Sequence, residues 1–175
     1  ARLRGIPLQS DGMDISLLEQ ALKEEPRAKF IYTIPNFQNP SGITMSLEKR
    51  RALYGLAKKY GVLILEDNPY GDLRFAGEDG IVLYAGTFSK VIAPGLRVGY
   101  AIGPKPILQK MIVCKQGEDV HTNIWSQIIC DEYMEHYDFA AHLKDLRAVY
   151  RRKSGVLLEQ LRRHLAPDVT WQPVE

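Results

Sequence analysis

Residues 62–70 read VLILEDNPY and residues 81–90 read IVLYAGTFSK. In each, a short apolar run of strand length gives way abruptly to acidic, amide, hydroxyl or lysine side chains. A third run of the same kind, AKFIYTI at 28–34, is stopped by Pro35 and followed by NFQNPSG. Continuous apolar strands of this length mark a sheet buried by its neighbours. The segments between them have helical periodicity. Asp14 is placed to cap a helix over 15–23, with Ile15, Leu18, Ala21 and Leu22 on one stripe, and Ser46 to cap another through Lys59, ended by Gly61. A fourth strand is expected at 98–101. After Pro104 come long helical patterns over 107–115, 123–135 and 139–165. Strands alternating with amphipathic helices predict an α/β fold, a sheet with helices on both faces. The charged last helix is expected to leave that sheet for a second, smaller domain, which puts the boundary between residues 1–138 and 139–175.

Composition bounds the function. Of 175 residues, 45% are hydrophobic and 25% charged, the balance of a globular chain, and the net charge is only +2. Without a basic run, attraction to a phosphate backbone is not indicated, so no nucleic-acid partner is expected for this segment. No apolar stretch reaches the length of a membrane span, and ARLRGIPLQSDG lacks the apolar core of a signal peptide, so a cytoplasmic protein is expected. Cys114 and Cys130 show neither CxxC nor metal spacing and read as buried free thiols.

In open α/β sheets, ligands bind beyond the carboxyl ends of the strands. The residues just past each strand are therefore the informative ones. Asn39 comes after the first, Asp67 and Tyr70 after the second, Thr87, Ser89 and Lys90 after the third, and Arg97 stands shortly beyond in APGLRVGY. An amide, an acid, a phenol, two hydroxyls, a lysine and an arginine on one rim suit an anionic aromatic cofactor. Each has a plainer reading: a solvated lysine, a helix-capping aspartate, an Asn-Pro turn.

The segments FQNPSG, EDNPYGDL and TFSKVIAPGLRVGY, in this order, resemble the fold-type I pyridoxal-phosphate aminotransferases of class I/II. With KQGEDVHTNIWSQ, they are most similar to the branch holding 2-aminoadipate and kynurenine aminotransferases and the aminotransferase-like domains of MocR-type regulators. The resemblance covers essentially the whole chain and implies the large-domain sheet of an aspartate-aminotransferase-like transferase, plus the start of a smaller C-terminal domain. It implies pyridoxal 5'-phosphate as cofactor, an amino acid and a 2-oxo acid as substrates, and a homodimer.

The same resemblance implies a role for each rim residue. Lys90 would form the Schiff base and then move the substrate proton, which requires an amine whose pKa can be depressed. Asp67 would keep the pyridine nitrogen protonated. Tyr70 and Asn39 would hydrogen-bond the cofactor's 3' oxygen, stabilising it as an anion. Arg97 would hold the phosphate as a fork, with Thr87 and Ser89 adding hydroxyls. His121 and Thr122 would line a partner subunit's site, or be incidental surface residues.

Three departures from the pattern are visible. The phosphate-binding turn and ring-stacking aromatic that relatives carry upstream do not occur in these residues, nor does the downstream arginine for the substrate carboxylate. Only AGEDG separates Phe75 from Ile81, which is short for a crossover between parallel strands. The residues present are thus expected to form a partial active site. Transamination is the leading expectation. The alternatives are a cofactor-binding effector domain of a MocR/GntR-type transcription regulator, and a lyase or decarboxylase of the same fold.

Overall fold

A computed structural model describes residues 2–69, 82–165 and 169–171. The chain divides into two compact units, one formed by Ala1–Thr87 with Gly99–His121, the other by Phe88–Val98 with Thr122–Glu175.

The first unit opens with a small antiparallel pair, β1 (Leu8–Gln9) and β2 (Gly12–Met13). Helix α1 (Ile15–Glu24) starts where expected because the Asp14 carboxylate accepts the Leu17 N–H at 3.0 Å. Strand β3 (Phe30–Thr33) comes next, then α2 (Leu47–Tyr60), whose first turn is capped by Ser46 accepting from Lys49 N at 3.3 Å. Gly61 ends α2 in the left-handed conformation, φ 63°, which a glycine adopts without strain. Strands β4 (Leu63–Asp67) and β5 (Val82–Thr87) complete a parallel trio in the order β3-β4-β5, with Thr33 opposite Glu66 and Asp67 opposite Ala85. The β4–β5 connection runs over residues 68–81. That is about the dozen residues a parallel crossover needs; Phe75 and Ile81, between which the connection reads as short, lie outside the described residues.

Strand β6 (Gly99–Ile102) pairs antiparallel with β5, so the four-stranded sheet is mixed. Helix α3 (Lys105–Glu118) then follows in the same unit. It buries no residue, and Cys114 on it is exposed, contrary to the expectation of two buried thiols, whereas Cys130 is buried.

The core lies where α1 and α2 meet one face of the sheet: Leu18 and Leu22 from α1, Leu53 and Ala57 from α2, Ile31 from β3, Ile64 from β4. Burial of each aliphatic side chain contributes about 1.5–3 kcal/mol. The buried stripe of α2 is Arg50, Leu53 and Ala57, while Leu47 is exposed, so an arginine holds a position that periodicity alone gives to an apolar residue. On β3 only Ile31 and Thr33 face the core; Phe30 and Tyr32 on the other face are half exposed.

The second unit holds α4 (Ile124–His136) and α5 (Phe139–Leu165). Asn123 caps α4 through Ser126 N, and Asp138 caps α5 through Ala141 N at 2.9 Å. Tyr133 stacks on Tyr137 and meets the edges of Phe139 and His142. No helix among the described residues is long and apolar enough to cross a membrane.

Gly12 and Gly55 make opposite predictions. Gly12 has φ 118°, and a Cβ there would lie 2.7 Å from Met45 Cγ and 3.1 Å from Met45 Cα. Gly12→Ala is expected to cost about 1–3 kcal/mol. Gly55, exposed in the middle of α2, has nothing within 4 Å of the place a Cβ would take, and should gain about 0.5–1 kcal/mol on mutation to alanine. Urea melts of the two variants check both signs.

Candidate active site

Because β3, β4 and β5 run parallel and adjacent, their carboxyl ends lie along one edge of the sheet. Asp67 is the last residue of β4 and half-buried there. Tyr32, on the neighbouring strand, donates its phenolic hydrogen to Asp67 Oδ2 at 2.7 Å. Burial and then the hydrogen bond to Asp67 push the Tyr32 phenol up to about 12, so it remains a donor throughout the physiological range. The bond orients the carboxylate and occupies one of its oxygens.

After β3 the chain forms a loop over residues 35–45. Its tip is closed by its own hydrogen bonds, Gln38 N to Ile43 O at 2.9 Å and Gly42 N to Gln38 O at 2.6 Å, with Gly42 at φ 72°. Asn39 is exposed on this tip, and its peptide bond to Pro40 is cis. At the base of the loop lies a polar cluster that periodicity did not reveal. Arg50 from α2 donates through Nε to Met45 O at 2.8 Å and through Nη2 to Pro35 O at 3.0 Å and to Asn36 Oδ1. Asn36 Nδ2 in turn donates to Asn68 Oδ1 at 3.2 Å, and Asn68 N to Ala85 O at 3.0 Å.

Glu66 points inward from β4 beside this cluster and is 2% exposed. Burial pushes its carboxyl from 4.5 up to about 7, and the nearby Arg50 charge opposes the shift without cancelling it. Oε1 of Glu66 has no hydrogen-bond partner among the described residues. A small cavity lined by Thr33, Pro35, Arg50 and Glu66, among others, adjoins it.

Thr87 ends β5 in the first unit, half-buried. Ser89, Lys90 and Arg97 belong to the segment Phe88–Val98 in the second unit. That segment is closed at its base by Phe88 N donating to Val98 O at 3.1 Å. Arg97 has φ 56° and lies within reach of Ser89: its Nη1 donates to Ser89 Oγ at 3.4 Å and to Pro94 O at 3.2 Å. Lys90 is exposed. Val91, the next residue, is held through its carbonyl by His142 Nε2 of α5 at 2.8 Å. Tyr70 falls outside the described residues. His121 is exposed and Thr122 half-buried; α3 runs to Glu118, so the loop there is only residues 119–123. No group of three or more metal-ligating side chains occurs among the described residues.

Two relationships went unread in the sequence. The Tyr32–Asp67 bond can be deduced from strand parity only once β3 and β4 are known to be neighbours. The Arg50–Glu66 pair had a weak local signal: in VLILE the glutamate shares its face with the buried Ile64.

The chemistry available is specific. A carboxylate fixed by a phenol suits a cationic ring nitrogen, and an arginine beside a serine hydroxyl suits a phosphate. An exposed lysine in the same loop supplies an amine. Residues 2–173 match the family described as aminotransferase class I and II. The chain belongs to that family. It is 38% identical to the aromatic-amino-acid aminotransferase 1 of Thermococcus litoralis over 97% of this chain and 44% of that protein. It is 32% identical to the HTH-type transcriptional regulator YisV of Bacillus subtilis over 98% of this chain and 37% of the regulator. Among solved structures, the kynurenine aminotransferase of Pyrococcus horikoshii, in complex with PMP, superposes with a TM-score of 0.87 at 36% identity, over 95% of this chain and 45% of that one. The chain thus has the fold of the aspartate-aminotransferase-like transferases and spans under half the length of the curated relatives it matches.

Glu66 makes a pH prediction with a definite sign. Its folded pKa is raised, so it binds its proton more tightly folded than unfolded. The stability this contributes is complete below about 4.5 and is lost as pH rises to about 7. Glu66→Gln should therefore be close to wild type at pH 4.5 and gain on it by pH 8, by on the order of 3 kcal/mol. Urea melts at several pH values check this; a gap independent of pH between 4 and 8 would refute it.

Proposed function

We propose that the protein is a pyridoxal 5'-phosphate-dependent aminotransferase, moving an amino group between an amino acid and a 2-oxo acid. The observation that carries the reading is Asp67 at the end of β4, fixed by the Tyr32 hydroxyl, with the Lys90–Arg97 loop leaving the adjacent strand. The residues fit the cofactor's chemistry. Asp67 holds the ring nitrogen protonated. Asn39 and Tyr70 hydrogen-bond the 3' oxygen. Arg97, Ser89 and Thr87 would hold the phosphate, and Lys90 would anchor the cofactor through its amine and, once displaced by the substrate's amine, carry the proton at the substrate Cα. When bound, the cofactor supplies the electron sink for that Cα.

On this reading residues 1–138 are part of the cofactor-binding domain, and the helix from Phe139 leads towards a smaller one. The enzyme acts as a homodimer in the cytoplasm. Val120, Ile124 and Trp125, exposed around the loop that carries His121 and Thr122, supply apolar surface for the partner subunit. A second reading is favoured by the likeness to YisV: the effector domain of a MocR/GntR-type regulator, binding the same cofactor. Specific DNA binding by the intact protein, with no amino-group transfer, would select it.

Borohydride reduction of the intact holoprotein, followed by peptide mapping, should place the cofactor on Lys90; label on another lysine overturns the assignment. Asp67→Ala should lower turnover at least about 10²-fold, the scale of one strong electrostatic contributor. A normal rate with an unchanged cofactor spectrum would make Asp67 merely structural.

A further inference from the structure

Asn36, Arg50, Glu66 and Asn68 are 3%, 8%, 2% and 3% exposed, and the proposed chemistry uses none of them. Burying ions is expensive, several kcal/mol each even after relaxation. An apolar residue at position 50 would continue the Leu53–Ala57 stripe without that cost. The Met45 N–H closes the base of the 35–45 loop on Pro35 O at 2.7 Å, but an apolar residue could not tie that base to α2. The Arg50 guanidinium hydrogen-bonds Pro35 O and Met45 O, the carbonyls at the two ends of the 35–45 loop, and Asn36 Oδ1 between them. The tip is closed by its own bonds, so where the tip stands depends on how its base is held. Through Asn36 the same group reaches Asn68, the residue after Asp67. The Glu66 carboxyl, from the same strand as Asp67, lines the same small cavity as Arg50.

We propose that Arg50 is a positioning residue that fixes the loop bearing Asn39 against the strand end bearing Asp67. It touches no cofactor atom and acts through Asn36 and the loop backbone. The inference rests on the aminotransferase reading only for the role of Asn39; the clamping of the loop stands apart from it.

The test uses the intact protein. Arg50→Met alone would also remove the charge beside the buried Glu66 carboxyl, so the main variant is Arg50→Met/Glu66→Gln. Arg50→Lys, which keeps the charge but loses the fork, is the second. In the protein without cofactor, amide hydrogen exchange over residues 36–45 should accelerate at least about tenfold in the double variant, with α1 unchanged. In the holoprotein, the pH midpoint of the cofactor's visible absorbance should rise by about one unit, because a displaced Asn39 no longer stabilises the 3' oxygen as an anion. Combined with Asn39→Ala, the double variant should add almost nothing to the shift that Asn39→Ala produces alone. Arg50→Lys should move both readouts the same way by less. Unchanged loop exchange, or a midpoint shift that adds in full to that of Asn39→Ala, overturns the proposal. If the wild-type protein takes up no pyridoxal phosphate, the aminotransferase reading falls, and the exchange measurement decides the role of Arg50 by itself.

Discussion

A backbone that turns away from a buried strand end carries carbonyl groups into a region water does not reach, and each needs a donor. At the end of β3 the Met45 N–H donates to Pro35 O at 2.7 Å, and a side chain supplies the further donors. Pro35 is fully buried, and its carbonyl, with that of Met45, accepts from Arg50. A guanidinium suits the task because its planar fork offers several N–H groups in fixed directions and keeps its charge even when burial lowers its pKa. The fork requires α2 to lie against β3 and β4 with Arg50 inward. The Ser46 cap, the Leu53–Ala57 stripe and the Gly61 stop together fix that register. Met45, besides offering its carbonyl, packs against Gly12, so the β1–β2 pair is tied to the same place, and Lys49 reinforces it through Asp11 at 2.7 Å.

The candidate residues stand partly on strand ends and partly on loops. Strand ends are rigid, and the group needing fixed direction, the Asp67 carboxylate, stands on one. Tyr32 holds it from the side, and the ladder to β5 continues past it through Asn68 N to Ala85 O. The groups that need reach, an amine and a guanidinium, stand on the segment between β5 and β6. The antiparallel turn of β6 makes that segment short, and Phe88–Val98 pairing closes its base.

Much of the fold was legible because its signals are local. Asp14, Ser46 and Gly61 mark helix ends through chemistry that acts within one turn, and the structure places those ends within a residue of expectation. The strands were legible as apolar runs, though each shifts or shortens by a residue or two at its ends. Less legible was everything that depends on which elements touch. Arg50 reads as one more charge in LEKRRALYGLAKKY, and only packing against β4 makes it the inward member of the stripe. The antiparallel direction of β6 is not encoded in GYAI, and the exposure of Cys114 reflects what α3 packs against rather than its own sequence. For the site, the candidate residues were found by their place after each strand, whereas Tyr32 lay hidden inside an apolar run.

The relatives divide the problem in a way the geometry explains. An aminotransferase and a transcriptional regulator, which share little in what their names describe, both align with this segment along nearly its whole length. A segment common to such different proteins is best accounted for by a task common to them, because fold and function separate readily while a shared ligand constrains residues. On the proposed reading, the groups at the strand ends and in the adjoining loops answer to a ring nitrogen, a phenolic oxygen, a phosphate and an aldehyde. Every one of those belongs to a cofactor rather than to a particular amino acid. The proposed role of the buried Arg50 cluster fits the same account, since it would order the loop that bears Asn39 and the strand end that bears Asp67. On the proposed reading, then, this sheet edge is the cofactor-side half of the machinery, and selection of the amino acid falls to parts of the protein that approach from outside it.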